Sequence, residues 1–133
     1  MNVNGLKDLI GKESSPVTVR IEDHAVRKFA EAVGIPFDNK VPPTFVITFP
    51  QGNIEGFNSA QDGMVHGEQK FKYYQPISVG DSITCIRQIE DVCQKTGKLG
   101  KMTFVITETK GYNAEGELVF KASSTLIFPE GNA

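Results

Sequence analysis

The chain is poor in the residues that build metal centres and covalent staples. It holds two cysteines and two histidines among 133 residues. Cys85 and Cys93 fall in one predicted strand, where eight positions extend over roughly 26 Å, so they cannot pair with each other. Reduced thiols are expected, with Cys85 as a small core residue. The four residues lack ligand spacing and make no zinc signature; no metal and no redox cofactor is expected. There is no basic block, and the net charge is −2, which argues against a nucleic-acid surface. No apolar run approaches the roughly 20 residues that span a bilayer, so no membrane association is expected. The N-terminus lacks the basic-then-apolar pattern of a secretion signal, and a cytoplasmic location is the default expectation. Internal repeats and low-complexity segments are absent as well.

What is present is an ordinary globular composition, 39% hydrophobic and 23% charged, enough for one domain over residues 1–133 with one core. The most apolar stretch is Val41 to Pro50. Its β-branched residues suit a buried strand, and its length suits a buried helix equally. The flanks decide. Pro42 and Pro43 sit where a first helical turn tolerates proline, Thr44 stands near the cap, and Pro50, Gly52 and Asn53 end the element. The expectation is a short helix, apolar all round and buried on all sides.

The remainder supplies the wrapping. Gly5 to Gly11 makes one or two helical turns with Leu6, Leu9 and Ile10 on one side. Val17 to Ile21 alternates as a strand. Glu22 and Asp23 suit the positive end of a helix whose Val26, Phe29, Ala30 and Val33 fall at amphipathic spacing; Gly34 and Pro36 stop it. Residues Ile35 to Lys40 form a loop, and Ile54 to Gly63, polar and glycine-bearing, reads as a surface loop. Four strands follow: Val65–Ile77, Ile83–Gln94, Leu99–Tyr112 and Leu118–Phe128. Thr96-Gly97 turns one pair and Asn113 to Gly116 turns the last. The final five residues are expected to fray. A twisted antiparallel sheet around one apolar helix is an α+β solution, and it matches the hot-dog fold.

Several short motifs come in order at sensible spacing between about residues 16 and 128: Phe29-Ala-Glu-Ala-Val-Gly34, Pro42-Pro-Thr-Phe45, His66-Gly-Glu-Gln69, Gln75-Pro-Ile-Ser-Val-Gly-Asp81 and Ala122-Ser-Ser-Thr-Leu126. With them the chain resembles MaoC-type hot-dog proteins, more narrowly the N-terminal MaoC dehydratase subfamily (FAS1-type dehydratase region). The resemblance implies a homodimer or heterodimer with strands continuing across the interface, where acyl-CoA or acyl-ACP thioesters bind. It implies reversible hydration of a trans-2-enoyl thioester to the (R)-3-hydroxyacyl thioester. That chemistry needs a base for water, an acid for the alpha carbon and a donor to the thioester carbonyl. The family takes the first two from an Asp-x-x-Asn-Pro-x-His signature and the third from an N–H at the start of the buried helix.

The chain departs from that signature. After Gly34 it reads Ile-Pro-Phe-Asp-Asn-Lys-Val-Pro-Pro, so Asp38 and Asn39 remain and no histidine follows. In this subfamily, the resemblance implies, such a chain serves as the acyl-binding half beside a catalytic MaoC-type subunit. Asp38, Asn39 and His66 are the catalytic candidates. Against this, Asx residues also form loop turns, and alternation puts His66 with Glu68, Lys70 and Lys72 on a solvated face. Thr44 and Phe45 are candidate carbonyl donors, and Phe49 is a candidate for lining the acyl site. Gln69, sharing a face with Phe71 and Tyr73, needs a partner, either substrate or backbone. Two other functions stay open: a non-catalytic acyl-thioester-binding partner, and a hot-dog acyl-CoA thioesterase. The second would need an acid in the buried helix, and Thr44 to Phe49 contains none.

Overall fold

The structure is a computed structural model that describes residues 3–37, 41–50, 52–57, 64–98 and 100–129, with the side chains of residues 3 and 4 set aside. Helix α1 is Val3–Lys7, strand β1 is Val17–Arg20 and helix α2 is Asp23–Val33; a 3-10 helix, Pro43–Thr48, follows. Then come β2 (Val65–Tyr73), β3 (Ser82–Gly97), β4 (Gly100–Tyr112) and β5 (Leu118–Pro129). The five strands form one sheet in the order β1-β3-β4-β5-β2, with every neighbouring pair antiparallel. No described helix is long and apolar enough to cross a membrane.

Helix α2 ends as its sequence dictates. Gly34 takes the left-handed conformation with φ 77°, and its N–H donates to the Glu31 carbonyl. That conformation costs glycine nothing. Only Val26 and Ala30 of α2 are buried; Val33, expected on the same apolar face, is exposed. Ile10 also lies outside the core, while Leu6 is inside.

Two of the sheet's three register shifts decide which way the candidate side chains face. The first, between Ile89 and Asp91, shifts the β3–β4 register by one residue. Before it Ile83, Cys85, Arg87 and Ile89 are buried; after it Val92 is. Cys85 and Cys93 therefore lie on opposite faces of one strand, and both are free thiols. The second bulge lies between His66 and Glu68 on β2. Paired residues of an antiparallel ladder share a face. His66 opposes the buried Leu126, and Gln69 opposes the buried Ser124. His66 thus belongs with Gln69, Phe71 and Tyr73 on the inner side, not with Glu68, Lys70 and Lys72 as strict alternation predicts.

The 3-10 helix lies over the inner face and belongs to one of the two core clusters. Phe45, Val46 and Phe49 join Ile21, Val26, Ile83, Cys85, Val119 and Phe120. Edge-to-face ring contacts run from Phe29 to Phe45 (5.5 Å), Phe49 (5.9 Å) and Phe120 (6.0 Å). The other face of the helix is open: Ile47 is 54% exposed, and Pro43, Thr44 and Thr48 are exposed too. The expected burial on all sides is corrected to burial on one side, because a single sheet covers one face only.

The second cluster corrects the surface-loop expectation. Ile54 is fully buried and Phe57 nearly so, packed with Leu6, Ile89, Val92, Val105, Leu126 and Phe128. Two apolar residues three apart plug the far end of the sheet from an otherwise polar segment. Residues 58–63, the rest of that segment, lie outside the described residues, as do residues 130–133 of the terminal stretch.

The sheet's two margins differ. Beside β3, Gly11 N–H donates to Ile89 O, Ile89 N–H to Lys12 O and Ser14 N–H to Arg87 O, so residues 11–14 extend the cover that β1 begins. On the opposite margin β2 is exposed along nearly its whole length.

Candidate functional site

A narrow cleft lies between the 3-10 helix and the inner face of the sheet. Val46, Ile47, Phe49 and Pro50 form its roof; Gln69, Phe71, Cys85, Arg87, Thr109, Phe120, Ala122 and Ser124 form its floor. Its volume is about 40 Å³, room for a few water molecules at most. The register sets polar residues on two separate rungs at this floor: Arg87 opposes Thr109 on one, and Ser124 opposes Gln69 on the other. Arg87 is only 5% exposed. Its backbone N–H donates to Ser14 Oγ (2.9 Å), and its guanidinium carbon lies 5.8 Å from the centre of the Phe57 ring. Burial holds the guanidinium below its ordinary pKa by disfavouring the charged form. Burial likewise pushes the Cys85 thiol up to about 11, which leaves it protonated and unreactive at neutral pH.

A second, open groove flanks the first turn of the 3-10 helix. It measures about 620 Å³ and is walled by Val41, Pro43, Tyr73, Tyr74, Pro76 and Ile77, with Gln75 and Ser78 as its polar members. The Tyr73 hydroxyl donates to the Pro43 carbonyl, tying β2 to the helix start, and burial raises the Tyr73 pKa. The turn below the groove is locked by Asp81, whose carboxylate accepts from Ser78 N–H at 2.8 Å.

The candidates named from sequence distribute as follows. Phe49 and Gln69 meet in the cleft. Phe45 is core, and its N–H already donates to the Pro42 carbonyl at 2.9 Å. Thr44 is exposed on the first turn, next to Pro43 of the groove wall. His66 is exposed on β2 and lines neither the cleft nor the groove. Asp38 and Asn39 lie outside the described residues. Sequence reasoning missed Arg87. Its signal was the alternation Ile83, Cys85, Arg87, Ile89, which puts one cation on a buried face. Among the described residues no carboxylate or imidazole lines the cleft or the groove, and no cluster of potential metal ligands occurs.

Known proteins agree with this geometry. The family model described as FAS1-like, dehydratase domain region matches residues 36–122. A UPF0336 protein of Streptomyces avermitilis is 35% identical over 126 residues, covering 77% of this chain and 79% of the relative. A UPF0336 protein of Saccharopolyspora erythraea is 26% identical over 91% of this chain and 89% of its own. Among solved structures, the HadBC (3R-hydroxyacyl-ACP dehydratase) complex of Mycobacterium tuberculosis superposes with TM-score 0.68 at 21% identity, over 91% of this chain and 98% of that one. The ChsH1-ChsH2 complex of the same organism gives 0.73 at 15% identity, over 98% and 91%. The (R)-hydratase of A. caviae gives 0.61 at 15%, over 88% and 94%. At these identities the structures speak for the hot-dog fold alone. With the family model covering more than half of its length, the chain belongs to the FAS1-like dehydratase domain region family of MaoC-like hot-dog proteins.

Proposed function

We propose that this chain is the acyl-binding subunit of an (R)-specific enoyl-thioester hydratase/3-hydroxyacyl-thioester dehydratase of fatty-acid metabolism, paired with a catalytic MaoC-type partner in the cytoplasm. The observation that carries the reading is an apolar groove of about 620 Å³ at the helix start whose described lining holds neither carboxylate nor imidazole. Hydration needs both a base and an acid within hydrogen-bond reach of the reacting atoms. A groove whose described lining lacks that pair supports substrate binding here with proton transfer from another subunit. The cleft of about 40 Å³ is too small for an acyl chain, so the open groove receives the acyl thioester, with the exposed Thr44 as its polar neighbour. Asp38 and Asn39, from the segment leading into the groove, and His66, on the inner side of β2, keep the roles proposed from sequence as residues to mutate. The exposed β2 margin supports a partner: an unpaired strand is covered most simply by another strand. The HadBC and ChsH1-ChsH2 structures are themselves complexes.

The test is hydration of crotonyl-CoA by the purified chain, alone and mixed with a MaoC-type protein carrying the intact Asp/His signature. Turnover only in the mixture is the expected result. Turnover by the chain alone would overturn the division of labour and make Asp38→Ala and His66→Ala the next variants. The lack of a lining acid or imidazole also supports a second reading, a non-catalytic thioester-binding partner. It predicts that crotonyl-CoA binds and neither preparation turns it over.

A further inference from the structure

The sheet gathers lysines that the sequence scatters. Lys72 on β2 lies directly opposite Lys121 on β5, and Lys121 lies directly opposite Lys110 on β4. All three alternate with inward residues, so they stand side by side on the outer face. With strands about 4.8 Å apart, the row spans roughly 10 Å. Lys70 adds a fourth cation two positions along β2. Neutralisation is partial. Lys110 lies 3.8 Å from Glu108 and Lys70 3.5 Å from Glu68. Among the described residues neither Lys72 nor Lys121 joins an ion pair. Like charges directly opposed across a ladder destabilise it. The composition does not impose this, since 16 acidic residues outnumber 14 basic ones. The row also has a direction. Lys72 Nζ lies 5.3 Å from the centre of the Tyr74 ring, and Tyr74 walls the open groove. The cations start beside Tyr74 at the groove and run away from it across the outer face of the sheet.

We propose that the Lys72–Lys121–Lys110 row docks the acidic surface of a carrier protein that presents its thioester to the groove. This rests on the acyl-binding reading above and extends it to how the substrate arrives. A row of cations across an open sheet face suits a second protein's acidic face. A small diphosphate is better held in a concave cradle of N–H groups. Among the described residues the groove's own lining holds no cation, so the charged contacts on offer lie on the row outside it.

Lys121→Glu tests this, because it places a carboxylate between two lysines and removes both like-charge contacts. The full chain is titrated with fluorescently labelled crotonyl-acyl carrier protein, at low and at high salt, and separately with crotonyl-CoA. The expected result is carrier-protein binding by the wild type that weakens with salt. Lys121→Glu should lose about tenfold or more of it, with a melting temperature equal to or above wild type and unchanged affinity for crotonyl-CoA. Wild-type chain that fails to bind the carrier protein at low salt would overturn the proposal. So would a variant that binds it as well as wild type, or one that loses affinity for crotonyl-CoA in equal measure. Lys110→Gln, neutral rather than reversed, should give a smaller loss in the same direction. Because the readout is binding, it stands apart from the hydration assay: absence of turnover in the mixture would sink the hydratase-subunit reading without deciding the docking result.

Discussion

At the scale of the residue, the core tolerates little. Gly111 on β4 opposes Phe120 on β5, and a Cβ built there would meet the Phe120 ring at 2.2 Å. Phe120 is the inner anchor of the ring series under the 3-10 helix, so it has nowhere to retreat. Gly111→Ala should cost about 1–3 kcal/mol by overpacking, seen as a lower denaturation midpoint; an unchanged midpoint would mean the ring moves freely. Cys85 gives a pH signature. Its thiol titrates near 11 when folded, against an ordinary value of 9.0. Below pH 9 both states hold the proton and the group has no effect on stability. Between 9 and 11 the unfolded chain releases its proton first, so stability falls as pH rises. Cys85→Ala should flatten that alkaline slope in denaturation midpoints taken from pH 8 upward. Arg87, by contrast, was legible only as a pattern: the alternation of β3 marks it as inward, while its neighbours Ser14 and Phe57 come from distant segments that no local rule connects.

At the scale of the element, punctuation was readable and facing was not. The stop at Gly34 and the turn from Asn113 to Gly116 follow from residue chemistry. In the turn Asn113 Oδ1 accepts from Glu115 N–H (3.1 Å) and Glu117 N–H (2.8 Å). Asn113→Ala removes both bonds and should cost about 1 kcal/mol or more, measured by urea denaturation. Facing depends on parity, and one extra residue reverses it. Glu90 and Gly67 supply those extra residues; a glycine within a strand is a mark of a bulge, while Glu90 carries none. Hence His66 was placed outward by alternation and inward by the ladder. The 3-10 helix is a related case: its apolar residues match a buried element, yet a partner is needed to cover Ile47. Tyr73→Phe removes the hydroxyl that holds Pro43, and should lower stability by about 0.5–1.5 kcal/mol while weakening crotonyl-CoA binding. If the variant binds as wild type does, the Tyr73 contact is architecture alone.

At the scale of the whole molecule, the antiparallel sheet of long strands was legible because long strands and turn residues dominate the second half; the place of β2 beside β5 rather than β3 was not. The second core cluster was not, since Ile54 and Phe57 contribute from a segment whose composition is that of a loop. The exposed β2 margin belongs to this scale too. Mixed with a MaoC-type chain, or alone at micromolar concentration, the protein should run as a dimer or larger species in light scattering. A clean monomer under both conditions would count against strand pairing across β2.

The two margins of the sheet are unequal in a way that sets a ceiling on assembly. β1 offers four residues, follows directly on Pro16, and is prolonged by the bridged segment beside β3; β2 offers nine, almost all uncovered. A body with one adhesive side and one blunt side can find a mate, but the pair then presents only blunt sides to the solution. Growth through sheet edges terminates at two bodies, so the margin that invites a partner does not also seed a fibre.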